Sequence, residues 1–172
     1  MSPDEKKKSN EFKFCENYSL FTVLLRWLFL GAAFGLGIYI LFQFKEILAY
    51  IYIFYGVICL MLILPLSRCV YCYYYGRVCD CGFGKVAAYL FPKNDESEYK
   101  SKYVYFSLTY PFWLFPALMG LIEVLRQRSL KALIVILAFL LVLLLERIFL
   151  KVAGCKNCHQ SEICPGVPFR IN

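Results

Sequence analysis

Seven of the nine cysteines in this 172-residue chain fall into two clusters. The first is Cys69, Cys72, Cys79 and Cys81. The second is Cys155, Cys158 and Cys164, with the single histidine, His159, beside it. Each cluster opens with a Cys-x-x-Cys pair. Such a pair presents two thiolates to a tetrahedral metal, and two pairs complete a four-sulfur site. The spacing predicts one site from Cys69, Cys72, Cys155 and Cys158. Cys79, Cys81, His159 and Cys164 make a looser second group, because Cys79-Asp80-Cys81 is tight for two ligands of one ion. Zinc is the first choice of metal, since such knuckles commonly hold it. An iron–sulfur cluster follows closely, because an all-thiolate set does not separate the two. Cys164-Pro165 also matches the end of bacterial ferredoxin runs, but their tighter cysteine spacing is absent.

Two redox readings compete with a metal. Cys155-Lys-Asn-Cys158-His159 matches the attachment pattern of c-type haem. Paired thiols beside a helix bundle also suit electron transfer or thiol–disulfide exchange. Both work on the oxidising side of a membrane, and thiols in a reducing cytosol favour metal over disulfide. Cys15 and Cys59 stand apart and read as apolar fillers. No Ser-His-Asp arrangement, phosphate-binding glycine loop or pair of acids within a span is visible, so neither an enzyme nor a transporter is favoured.

The elements that position these cysteines follow from composition. Hydrophobic residues make up 60% of the chain and charged residues 18%, against about 45–50% and about 25% in soluble domains. Charge is concentrated in the connecting segments, with few charged residues inside the apolar runs. Four apolar runs, at about 20–44, 47–66, 103–125 and 130–152, each have the roughly 20 residues that cross a bilayer. The first exceeds a signal-peptide core and is expected to be retained. Lys45-Glu46 and residues 126–129 are short turns, which predicts two antiparallel hairpins. Pro111 and Pro116 predict a kink in the third span, and Gly154 an end to the fourth.

The expected architecture is an all-α integral membrane protein with four transmembrane helices and a small cytosolic Cys-rich cap. A polar N-terminal segment covers 1–19, the transmembrane domain 20–152 with its Cys-rich loop 67–102, and a Cys-rich tail 153–172. Within the loop, Lys85–Phe91 predicts a short interfacial helix. In the tail, Pro165, Gly166 and Pro168 predict irregular structure.

Lysine and arginine set the expected orientation. Residues 1–19, 67–103 and 151–172 hold thirteen, whereas Lys45, Arg126, Arg128 and Lys131 face the other side. The positive-inside rule puts both termini in the cytosol of a multi-pass cell-membrane protein. The net charge of +7 then serves orientation and lipid headgroups, not nucleic acid. The expected partners are the bilayer and other membrane-protein subunits.

Further positions stand out. Arg26 and Glu146 lie at similar depth in the first and fourth spans, and a charge there is costly unless paired, so an ion pair between them is a candidate. Gly31 and Gly35 form Gly-x-x-x-Gly, expected to let another helix of this chain approach. Tyr71, Tyr73, Tyr74 and Tyr75 suit the membrane interface. Gly76, Gly82 and Gly84 suit tight turns around the cysteines.

Overall fold

The computed structural model describes residues 15–156 and 158–165. Most of the polar N-terminal segment, and Gly166 and Pro168 of the tail, lie outside the described residues. The described chain is helical, without a strand, and four of its helices are long and apolar enough to cross a membrane.

The first span is α1, Leu20–Phe44. Ser19 caps it, its side chain accepting from the Thr22 amide at 3.2 Å. Lys45, in extended conformation, is the only residue before α2, Glu46–Ile58. So short a turn leaves α2 no course but back along α1.

The second span runs beyond its apolar core, from Glu46 to Tyr71. It widens into a π-helical turn at Cys59–Ile63 and resumes as α3, Leu64–Ser67. Pro65 lies just after the wide turn. It has no N–H to donate, and its ring crowds the carbonyl four residues back, so the added width relieves both strains.

The chain then makes a turn at Cys69–Tyr71, α4 at Phe83–Leu90 and α5 at Tyr99–Lys102. In α4, Phe83, Gly84 and Ala87 are buried while Lys85 and Tyr89 are exposed. The third span enters through a tight 3₁₀ segment, Tyr103–Thr109, and continues as α6, Tyr110–Gln127. Pro111 occupies the first turn of α6, where a missing N–H removes no helical bond. Pro116 is inside and buried. The irregularity expected at Pro111 therefore appears upstream, as a change of helix type.

The fourth span is α7, Leu130–Phe149, followed by a second π-helical stretch, Leu150–Cys155. Gly154 does not end it. It lies within this stretch, where an added Cβ would sit 3.1 Å from Asp80 Oδ2 and 3.0 Å from Leu150 Cδ1. Its role is close approach to the loop.

Helix α1 is central, packing against α2, α6 and α7, while α6 and α7 pack on each other. Phe34, Tyr52 and Phe112 join α1, α2 and α6, with Tyr52 and Phe112 stacked at 4.6 Å. Gly56 makes room, since a Cβ there would meet Phe112 at 2.8 Å and Phe34 at 3.0 Å. The outward faces carry exposed Leu24, Leu28, Phe54, Leu121, Leu137 and Leu144. Such apolar faces on every span suit lipid, not water, and fit a multi-pass membrane protein.

Gly31 and Gly35 differ from expectation. A Cβ at either meets nothing within 4 Å among the described residues. The close helix contacts run through Gly37, Gly56 and Gly120 instead. Spacing alone shows that two small residues share a face, not which neighbour that face meets.

Candidate metal centre

Both cysteine clusters meet at the end of the bundle where α1 begins and the fourth span finishes. Residues 15–18 are stitched between them. Cys15 forms an isolated parallel bridge with Cys158, and the Tyr18 amide donates to the Val78 carbonyl at 3.0 Å. The Tyr18 hydroxyl donates to the Gly154 carbonyl. Burial raises the Tyr18 hydroxyl far above its ordinary value, so it remains a donor.

The tyrosines of the loop are fasteners as much as interfacial side chains. Tyr74 is buried, and its hydroxyl donates to the Cys15 carbonyl at 2.5 Å while accepting from the His159 amide at 3.1 Å. Tyr75 donates to the Phe91 carbonyl at 2.7 Å. Tyr73 stacks on His159 with ring centroids 3.8 Å apart. Gln160 is also buried, and its side-chain oxygen accepts from the Tyr73 amide at 3.1 Å.

Glycine lets the chain fold this tightly. Gly76 and Gly82 adopt φ of 76° and 77°, which side-chain-bearing residues rarely do. Gly84 is more constrained, because a Cβ there would overlap the carbonyl oxygens of Tyr74 and Arg77. Its own carbonyl accepts from the Gly76 amide at 2.9 Å.

This folding brings Cys79 Sγ within 3.5 Å of Cys81 Sγ. Two thiolates on one tetrahedral zinc, at about 2.3 Å each, stand about 3.8 Å apart, so the pair is close to a ligand separation. The ligand atoms of Cys79, Asp80 and Cys81 lie within 4.8 Å of one another. This Cys-Asp-Cys group can bind a metal.

The surroundings favour a thiolate at Cys79. Its sulfur accepts from the Gly84 amide at 3.3 Å. The hydrogen bond from Cys81 draws the Cys79 thiol below its ordinary value, and the same bond with burial drives Cys81 well above. Burial pushes the Cys72 thiol up to about 12, opposed by the Tyr74 amide. Cys158 is also raised by burial, opposed by the Gln160 amide. Backbone N–H groups aimed at sulfur help to hold negative charge there.

All seven clustered cysteines line one cavity of about 220 Å³. Cys69 packs with Cys72, Cys81 and Cys164 in one buried cluster, while Cys79 packs with Cys72, Cys81 and Cys158 in another. Cys72 and Cys81 belong to both. The structure thus brings the cysteines of the two expected groups into one chamber without gathering either group as a compact set of four. Cys155 lies on the chamber wall, whereas His159 is turned against Tyr73. Cys59 also reaches this cavity, and Cys15 packs beside Cys158.

Buried charge surrounds the chamber. Arg26 pairs with Asp80, and its Nη2 lies 3.5 Å from Glu146 Oε1. Arg26 thus ties α1, the loop and α7 together. Trp27 adds a bond from its indole N–H to the Cys81 carbonyl at 3.1 Å. Arg68 lies over the Tyr103 and Phe106 rings at 5.2 and 4.8 Å, and contacts Tyr99 Oη at 3.4 Å and Cys164 Sγ at 3.9 Å.

Asp80 and Arg68 were not singled out from sequence. A signal for Asp80 was present. Arg26 in an apolar span demands an anion, and Asp80 is the one acid between Arg68 and Pro92. For Arg68 the signal was weaker, because a basic residue after a span reads first as an orientation marker. No family model matches the chain, and neither a curated protein nor a solved structure matches it.

Proposed function

We propose that this is a multi-pass membrane metalloprotein whose cysteine chamber holds zinc or an iron–sulfur cluster in a structural, assembly or complex-subunit role. The observation that carries it is the Cys79–Cys81 pair, 3.5 Å apart and opening on a cavity lined by every clustered cysteine. Zinc is preferred, since it needs no ligand type beyond those present. Cys79 and Cys81 supply two ligands. Cys72, which borders the same two buried clusters as Cys81, and Cys69 complete a loop-only set, while the competing set takes Cys69, Cys72, Cys155 and Cys158.

Purification without oxygen, followed by elemental analysis and native thiol counting, tests this reading. The expected result is a stoichiometric metal and protected cluster thiols. A colourless preparation with zinc and a brown one with iron and sulfide distinguish the two cofactors. No stoichiometric metal, with all seven thiols freely alkylated, overturns the proposal. Cys81→Ser against Cys155→Ser then separates the ligand sets: the loop-only set survives the second substitution and not the first.

A second reading is thiol exchange, favoured by the same close pair and by the Gly84 amide on the Cys79 sulfur. Cys79 and Cys81 would lose two electrons and two protons to a partner's disulfide, becoming a disulfide themselves and leaving the partner as a dithiol. A metal-free preparation whose Cys79–Cys81 pair cycles with dithiol reagents supports this reading against the first.

We further propose that the chamber faces the cytosol with both termini, on the thirteen-to-four distribution of Lys and Arg. A cysteine placed at exposed Lys45 is then labelled by an impermeant maleimide from outside intact cells. Labelling only after lysis reverses the orientation.

A further inference from the structure

At the opposite end of the bundle, Glu123 lies one turn before α6 ends and is only 5% exposed. Its Oε1 accepts from Gln127 Nε2 and lies 3.3 Å from Arg126 Nη2. Its Oε2 is buried with no hydrogen-bond partner among the described residues. A buried carboxylate oxygen left bare is costly, and the cost is relieved by any ligand that brings a donor to it.

Glu123 lines a cavity of about 140 Å³ shared by α1, α6 and α7. At roughly 30 Å³ per water, that is room for four or five waters or one small polar group. Tyr39 and Gln43 contribute from the last turns of α1, and Ser129 and Lys131 from the start of α7. Gln43 Nε2 donates to Tyr39 Oη at 2.8 Å. Every polar group of the wall is thus within a turn or two of a helix end, the depth of headgroups rather than of acyl chains.

The charges have an order. A buried carboxylate sits in the wall, and exposed Lys131 is also among the residues that line the cavity. Beside them run lipid-facing residues, Tyr39, Leu133 and Leu137, each at least 40% exposed.

We infer that this cavity binds the headgroup of an aminophospholipid of the ethanolamine type. Its primary ammonium donates to Glu123 Oε2 after a turn of the carboxylate, its phosphate faces Lys131, and its acyl chains lie along the exposed faces of α1 and α7. The unpartnered oxygen calls for an N–H donor. A choline headgroup has no N–H, a glycerol headgroup no cation, and a serine headgroup adds a carboxylate that Glu123 repels. This site does not depend on the metal reading, and its failure leaves that reading untouched.

The test uses the full chain reconstituted in phosphatidylcholine vesicles containing one-tenth phosphatidylethanolamine, then released for native mass spectrometry. The wild type is expected to retain one phosphatidylethanolamine at least tenfold above its share of the bilayer. Glu123→Gln should bring retention down to that share, and Lys131→Met should lower it about threefold. Helical content and thiol protection confirm that each variant is folded. If Glu123→Gln fails to fold, the exposed Lys131→Met carries the test. Equal retention of phosphatidylcholine by the wild type, or unchanged retention in the folded variants, overturns the site. Competition by soluble phosphoethanolamine at the affinity of the lipid overturns its assignment to a lipid.

Discussion

The two ends of this bundle are made from the same four spans and solve the problem of buried polarity differently. At the cysteine end, Arg26 is shared by Asp80 and Glu146, and backbone groups from residues 15–18, the loop and the tail bond across one another. At the hairpin end, Lys45 alone joins α1 to α2, Arg128 and Ser129 join α6 to α7, and Glu123 keeps a bare oxygen. The cysteine end spends long chain segments on its polar groups and still leaves Arg26 Nε and Gln160 Nε2 without a hydrogen-bond partner among the described residues. The hairpin end has little connecting chain, and its Glu123 carboxylate is met by Arg126 and Gln127 of its own helix. The two ends thus differ in where partners come from, distant chain at one and a single helix at the other.

Removing the shared charge tests this contrast most severely. Arg26→Met leaves Asp80 and Glu146 without their common partner, at an expected cost of about 3–5 kcal/mol. Denaturation in detergent reads the loss. A double-mutant cycle of Arg26 with Glu146 should show non-additivity of about 1–3 kcal/mol, and strict additivity would mean the two groups do not interact. Gly84→Ala comes next, because its Cβ overlaps backbone that cannot swing away. About 3 kcal/mol is expected, along with exposure of the Cys79 and Cys81 thiols to alkylation.

Effects in the spans should be smaller. Gly120→Ala sets a Cβ 2.7 Å from Ile136 Cδ1, the far end of a flexible side chain, so about 1 kcal/mol is expected and no change in thiol protection. Arg128 is the one non-glycine residue with positive φ among those described, at 48°. Arg128→Gly should therefore stabilise the hairpin end by about 1 kcal/mol in thermal unfolding. Gly35→Ala should be neutral or raise stability by up to about 1 kcal/mol, since it meets open space and improves helix propensity. A clear loss there, accompanied by a drop in oligomer size, would reveal a second chain on that face.

The four spans were legible because lipid imposes one rule along about 20 consecutive residues, and a run of that length leaves little ambiguity. The hairpins followed from turns too short for any other course. The interior of the cysteine end was harder to read. Asp80 meets Arg26 across 54 positions of sequence, and no local period records such a meeting. Tyr18 reaching Gly154 is longer-ranged still. Tyr71 and Tyr74 looked interfacial because composition gives a side chain's preference, whereas their burial depends on the chain returning over them. Glu123 was passed over for a related reason. One acid near a helix end reads as solvated, and only the packing of three helices hides it.

The wide turns near both Cys-x-x-Cys pairs bear on rotational phase. Each lies in the last part of a span, one at Cys59–Ile63, ahead of Cys69, and one at Leu150–Cys155, which ends on Cys155 itself. A π-helical turn holds one residue more than an α-helical turn. Each wide turn therefore takes up one residue without turning the helix beyond it. Rewinding the same residues as regular α-helix, with none removed, would swing everything downstream by about 100° about its axis. These stretches act as angular shims, absorbing a residue so that the end of each span still arrives at the chamber.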